Sequence, residues 1–196
     1  MLFVPIPVGL LLMLLSSIRT KFVLINTVHP GNVGAAARAI KTMGFDDLCL
    51  VAPKDPKVLN RKQTKDGASG AVNILEQAQV VHTLQEALEG IDISCATGMP
   101  HDMHQQRTPQ IYMEPRPYFH HILNNQENIR NFNSIAFVFG NERTGMLDEE
   151  FAQCQLVLGI PTNPLFGSLN LASAVQLIAY DWRQALGGFS LSNSAH

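Results

Sequence analysis

Apolar and polar positions fall in blocks along this chain, and the blocks change period. Short apolar runs at residues 22–26, 48–52, 79–81, 91–96, 135–139 and 156–160 read as buried strands. Between them lie helix signals. Asn32 is the expected N-cap of a helix from about Val33 to Met43, because its side chain accepts from the first free N–H groups. Gly44 is the expected left-handed stop. From Val23 to Ala52 the unit runs about thirty residues, the size of a parallel βαβ crossover. Ala68–Glu76 reads as a short helix, and Thr83 with Glu86 forms a capping box for another ending near Gly90. Tyr118–Arg130 reads as a weak helix and Asp148–Gln153 as a short one. Leu171, Val175, Ile178 and Trp182 then recur at helical spacing in a last helix reaching Leu186. Pro100–Pro117, with its prolines, His, Gln and Arg, reads as a long active-site or interface loop. Strand and helix alternate without repeat or linker, which predicts a single α/β domain built on a doubly wound parallel sheet.

Composition agrees and adds little. A chain of 196 residues, 46% apolar and 15% charged, suits one globular domain. The net charge of −2 lacks the overall basicity common in RNA binders. Locally, Lys54, Lys57, Arg61, Lys62 and Lys65 crowd just beyond a strand end. Alone they read as a solvated loop; beside Arg38 and Lys41 they read better as an RNA-facing one. Three cysteines without a C-x-x-C pair point to a reducing compartment, and Cys49 and Cys95 lie in core-like runs. His101 and His104 have metal-compatible spacing, with His120 and His121 nearby, but no ligand set is completed and no metal is expected.

Residues 1–17 form an apolar N-terminal extension. It resembles a signal-peptide core without a basic lead or a good cleavage site, and Pro5, Pro7 and Gly9 interrupt it. It is too short to span a bilayer comfortably. A mis-assigned start, with Met13 as initiator, is the expectation, ahead of an added interface segment. The main domain is expected over 18–187, with a frayed tail at 188–196.

Candidate chemistry concentrates in three segments. HPGNVGAAARAIKTMG (His29–Gly44) follows the first strand, and FGNERTG (Phe139–Gly145) places an acid and a base on a Gly-bounded loop. IPTNPLFGSLNLASAVQLIAY (Ile160–Tyr180) crowds Gly, Ser and Asn at a helix start, where free N–H groups and hydroxyls can meet a polar ligand. A dinucleotide-binding oxidoreductase would instead need a G-x-G-x-x-G turn and an acid closing the second strand; neither is present.

These segments, in this order, resemble the SpoU-type branch of the SPOUT RNA methyltransferases, most closely the TrmJ family of tRNA methyltransferases. The resemblance covers about Ile18 to Leu186. It implies a Rossmann-like SPOUT fold with a C-terminal trefoil knot, and S-adenosyl-L-methionine as methyl donor. It further implies a homodimer, a cytoplasmic location, no DNA and no membrane. The substrate would be the ribose 2′-hydroxyl of cytidine or uridine at tRNA anticodon-loop nucleotide 32. Carried over by position, Thr97, Gly98, Met99, Gly140, Ile160, Gly167, Ser168 and Leu169 would hold the cofactor, with Leu165 helping to cover the purine. Arg38 would clamp the target phosphate or serve as base, and the clamp is physically easier because guanidinium holds its proton to very high pH. Glu142 would accept a proton or fix Arg38; alternatively it forms a structural pair with Arg143. Ser168 and Asn170 would bond ribose or phosphate, or cap the last helix, while Asn32 would share a functional role or act only as an N-cap. Two features depart from the family. Thr97-Gly98-Met99-Pro100 replaces a run that carries Arg in relatives, and the chain stops where relatives continue into an RNA-holding helical extension. The second departure leaves room for an RNA-binding relative without turnover.

Overall fold

The computed structural model describes residues 15, 17–98, 111–124 and 132–189. Seven strands form one sheet: β1 (Arg19–Ile25), β2 (Asp47–Val51), β3 (Gln79–Val81), β4 (Ile93–Gly98), β5 (Ile111–Met113), β6 (Ser134–Phe139) and β7 (Leu156–Gly159). Their order is β3-β2-β1-β6-β4-β7-β5, and every pairing is parallel. The principal helices are α1 (Pro30–Thr42), α2 (Lys62–Ala68), α3 (Val72–Gln77), α4 (Leu84–Ala87), α5 (Pro115–Asn124), α6 (Asp148–Phe151) and α7 (Leu171–Ala185).

A sheet covered on both faces explains why its strands are apolar throughout. Phe22, Leu24, Leu48, Leu50, Ile135, Phe137 and Phe139 point to one face, where α1, α2, α3, α5 and α7 pack. Val23, Ile25, Cys49, Val51, Ala136 and Val138 point to the other, which the short helices α4 and α6 cover. The expected doubly wound α/β sheet is therefore present. On the first face Phe119, Phe137 and Trp182 pack edge to face, with centroids 5.1–5.9 Å apart. Trp182 is fully buried, and its indole N–H donates to Thr20 Oγ1 at 2.9 Å, so its polar atom is satisfied inside the core.

Several expected boundaries shift. α1 begins at Pro30, with His29 as its N-cap, so Asn32 lies in the first turn and does not cap this helix. Proline at the first position sets φ for the helix and lacks the N–H that would go unbonded there. Gly44, with φ of 72°, stops α1 as expected, and Phe45 N–H closes back on Ile40 O at 3.1 Å. The basic run is partly helical, since α2 starts at Lys62. Arg61 pairs with Asp55 and Lys62 with Asp66. The Pro100–Pro117 segment contains strand β5 at the sheet edge and the start of α5, which begins at Pro115 rather than Tyr118. Three residues are too few to show a strand period, and in sequence a proline at a helix's first position looks the same as a proline in a loop. Residues 99–110, among them Met99, His101 and His104, lie outside the described residues, as do Met1–Leu14 and the end of the expected Tyr118–Arg130 helix.

The C-terminal end of α7 is fastened to that of α1. Arg183 donates from Nε to Met43 O at 2.7 Å and from Nη2 to Gly44 O at 3.1 Å. Its guanidinium lies over Phe45 at 4.3 Å and Phe189 at 5.1 Å from the ring centroids.

A candidate active site at the carboxyl ends of four strands

Strands β1, β6, β4 and β7 are neighbours, and parallel pairing puts their carboxyl ends on one edge. The chain winds outward through β1–β3 on one side before crossing to β4 on the other. Open α/β sheets bind ligands at such a switch, outside the strand ends.

The loops after β1 and β6 are tied together first. Asn26 takes a left-handed conformation, with φ of 51°, which Asn tolerates better than most residues. Its N–H donates to Val51 O at 2.9 Å and its carbonyl accepts from Asn141 Nδ2 at 2.6 Å. After β6, Asn141 and Gly145 exchange both backbone hydrogen bonds at 2.9–3.0 Å, closing a tight turn that presents Glu142 and Arg143. Gly140 is required by that closure: a Cβ there would overlap the Gly145 carbonyl carbon and Met146 N.

Glu142 is the hub. Its Oε2 accepts from Val28 N–H at 3.0 Å, and its Oε1 accepts from His29 N–H and Asn32 Nδ2, both at 3.2 Å. Burial raises its pKa, but hydrogen bonds from its own backbone N–H, Val28, Asn32 and His29 outweigh that and hold the carboxyl below its ordinary range. Asn32 continues the connection, its Oδ1 accepting from Asn170 Nδ2 at 3.0 Å. Asn170 Oδ1 in turn accepts from Ala172 N–H at 2.9 Å, which makes Asn170 the N-cap of α7. One polar chain, Glu142–Asn32–Asn170, thus joins the three sequence segments.

The other candidate residues fall around this chain. Ser168 is exposed on the loop between β7 and α7, and Gly167 O accepts from Thr162 Oγ1 at 3.2 Å. The same loop leaves Leu165 and Phe166 at 93% and 78% exposure, with Leu169 partly open, while Ile160 packs against the core. Thr97 Oγ1 donates to Val138 O at 2.9 Å, so its hydroxyl proton is engaged between β4 and β6. Gly98 pairs with Gly159 at the strand ends, and Met99 lies outside the described residues. Arg38 is exposed on α1 with no polar partner among the described residues, and Glu142 bonds Asn32 rather than Arg38. Arg143 contributes its backbone N–H to Asn141 Oδ1 at 2.8 Å; among the described residues no Glu142–Arg143 pair forms. Cys49, Cys95 and Cys154 are buried, and burial pushes their thiols up, to about 11 for Cys49 and about 12 for Cys154. Asn26 and Asn141 went unread as site residues; an Asn within two residues of a buried strand's carboxyl end is the signal that finds both.

Small residues at strand ends, an anchored acid and an amide-capped helix start mark the switch point of this parallel α/β domain as its candidate site. The chain belongs to the SpoU rRNA methylase family, whose profile matches residues 19–180. It is 41% identical over 167 residues to the tRNA (cytidine/uridine/adenosine-2′-O-)-methyltransferase TrmJ of Pseudomonas aeruginosa, covering 85% of this chain and 61% of that one. A probable methyltransferase from Bordetella pertussis superposes with a TM-score of 0.74 at 35% identity, over 91% of this chain and 99% of that one. TrmJ from Z. mobilis does so with a TM-score of 0.72 at 32% identity, over 85% and 69%. The chain spans less than two thirds of the length of the curated relatives it matches. Among the described residues no helix is long and apolar enough to cross a membrane.

Proposed function

We propose that this protein is a cytoplasmic, homodimeric RNA ribose 2′-O-methyltransferase that uses S-adenosyl-L-methionine. Its substrate is tRNA, at cytidine or uridine 32 of the anticodon loop. The observation that supports this most is the Glu142–Asn32–Asn170 chain, which gathers three separated segments at one edge of the sheet.

The residues present fit the cofactor. Apolar Leu165, Phe166 and Leu169 stand exposed beside a loop rich in backbone polar groups, a donor set suited to a purine joined to a charged tail. Gly98, Gly140, Gly167, Ser168 and Ile160 would hold it, with Thr97 fixing the β4 end and Met99 beside it in sequence. When bound, the cofactor supplies an electrophilic methyl group, so the protein's task is position and electrostatics. Arg38, exposed on α1 with no polar partner among the described residues, clamps the phosphate of the target nucleotide. Glu142 stays ionised and orients the Val28–His29 backbone and Asn32, while Ser168 bonds the ribose. Asn170 fixes the end of the cofactor loop, which is threaded as the family's trefoil knot. The exposed Leu177 and Tyr180, one turn apart on α7, supply an apolar strip for the second copy.

The deciding experiment is transfer of labelled methyl to unmodified bulk tRNA, with nucleoside analysis and an Arg38→Ala control. 2′-O-methylcytidine or 2′-O-methyluridine, lost in the control, is expected. Cofactor binding without incorporation would sink the reading.

A further inference from the structure

The reaction releases a proton from the ribose hydroxyl, and the residues assigned so far do not accept it well. Arg38 is a guanidinium, which keeps its proton at any working pH. Glu142 has three donors converging on its two oxygens, and those same bonds hold it ionised and weakly basic. Beside it stands a group with no task. His29 is exposed at the N-cap of α1, and its side chain makes no cap hydrogen bond. Its imidazole has no hydrogen-bond partner among the described residues. Its mount, by contrast, is rigid: the backbone N–H is held by Glu142 Oε1 at 3.2 Å, and Pro30 follows at the first position of the helix. Asn32, one turn on, is bonded to Asn170 at the mouth of the β7–α7 loop. The imidazole therefore sits on a fixed backbone at the edge where the three segments meet, with neither ring nitrogen bonded among the described residues.

We propose that His29 accepts the ribose 2′-hydroxyl proton during methyl transfer; this rests on the methyltransferase reading above. The O–H bond breaks and its proton passes to an imidazole nitrogen. The oxygen forms its new bond to the methyl carbon, and the electron pair of the broken carbon–sulfur bond stays on sulfur, cancelling its positive charge. The charge reappears on imidazolium, so the step balances without a further reactant. Imidazole is suited to this because it exchanges protons between about pH 5 and 8. The charged groups on the elements that meet here are Glu142 and Arg143 after β6, Glu150 of α6, which accepts from Asn26 Nδ2, Lys54 and the Arg61-paired Asp55 after β2, Lys62, Lys65 and Asp66 of α2, which packs against the start of α1, and Arg38 and Lys41 along α1. The start of α7 brings only the neutral Ser168 and Asn170.

Two measurements test it. In the first, without cofactor, the full-length protein with isotopically labelled histidine is titrated with a tRNA anticodon stem-loop, and the His29 imidazole resonances are assigned through His29→Gln. A shift on binding, reduced when the target nucleotide is 2′-deoxy, supports contact with the hydroxyl; no shift on RNA binding overturns it. In the second, single-turnover rates are followed from pH 5.5 to 9 for wild type, His29→Ala and His29→Gln. A loss of about 100-fold with the acid limb abolished, partly restored by added imidazole, is expected. A rate within about threefold of wild type, or a slow enzyme that keeps the wild-type pH profile and ignores imidazole, would overturn the assignment. Wild-type inactivity on tRNA would overturn the parent reading and this one with it, whereas an active wild type with an indifferent His29→Ala removes this one alone.

Discussion

Replacing Glu142 by Gln keeps the side chain's shape and removes its charge. In the wild-type protein two oxygens receive Val28 N–H, His29 N–H and Asn32 Nδ2. The amide leaves one acceptor and turns an NH2 toward at least one donor, so one or two charge-assisted hydrogen bonds are lost and one contact becomes donor against donor. Hydrogen bonds to charged groups contribute about 1.5–3 kcal/mol each, and partial exposure lowers that, so the expected loss is about 2–3 kcal/mol. For a chain of this size that corresponds to a melting point lower by about 5–10 °C. The pH dependence is the sharper signature. A carboxyl whose folded pKa lies below its unfolded value contributes stability that is full above the unfolded pKa, near 4.3, and lost as pH falls through the folded one. Urea unfolding of both proteins from pH 7 down to pH 3 should therefore show a gap that narrows only below about pH 4.5. A gap under about 0.5 kcal/mol at pH 7, or one unchanged down to pH 3, would refute the view of Glu142 as a charged anchor.

Two further substitutions separate roles that share an atom or a loop. Asn170→Asp keeps the acceptor for Ala172 N–H but sets a carboxylate oxygen against Asn32 Oδ1. It should leave stability within about 1 kcal/mol while lowering methyl transfer at least tenfold, whereas Asn170→Ala should lose about 1 kcal/mol through the cap as well; urea denaturation and initial rates distinguish the two. Ala52 is held at φ of 42° immediately before Pro53, a conformation that costs an L-residue energy and that Gly adopts freely. Ala52→Gly should raise the unfolding free energy by about 0.5–1 kcal/mol, read as a higher urea midpoint.

Much of this architecture was legible because burial on both faces writes long apolar runs. Val23–Ile25 and Ile135–Phe139 could be nothing but strands, and Gly44 and Thr83 announced their helix ends. The N-cap reading of Asn32 failed because its side chain could equally cap a helix or bond across the fold. Only the position of Glu142, 110 residues away, decides between those uses. β5 escaped for a different reason: an edge strand of three residues carries no period, and its pairing with β7 is a tertiary fact. The family resemblance supplied Arg38, Glu142, Ser168 and Asn170 as a set. It did not supply how they connect, because hydrogen bonds between distant side chains leave no pattern in one sequence. The unclaimed imidazole of His29 likewise becomes visible only when the occupancy of Glu142 is known.

The Arg183 clasp also sets limits on motion. α1 and α7 are joined at their beginnings through Asn32 and Asn170, and at their ends through Arg183, Met43 and Gly44. Two rods pinned at both ends cannot scissor. Admission of a ligand beneath the segment 160–169 must then come from bending within that segment, with the helix that bears Arg38 and the helix that follows the segment moving as one plate. For the proposed cofactor that means a cover that bends above a floor held at both ends.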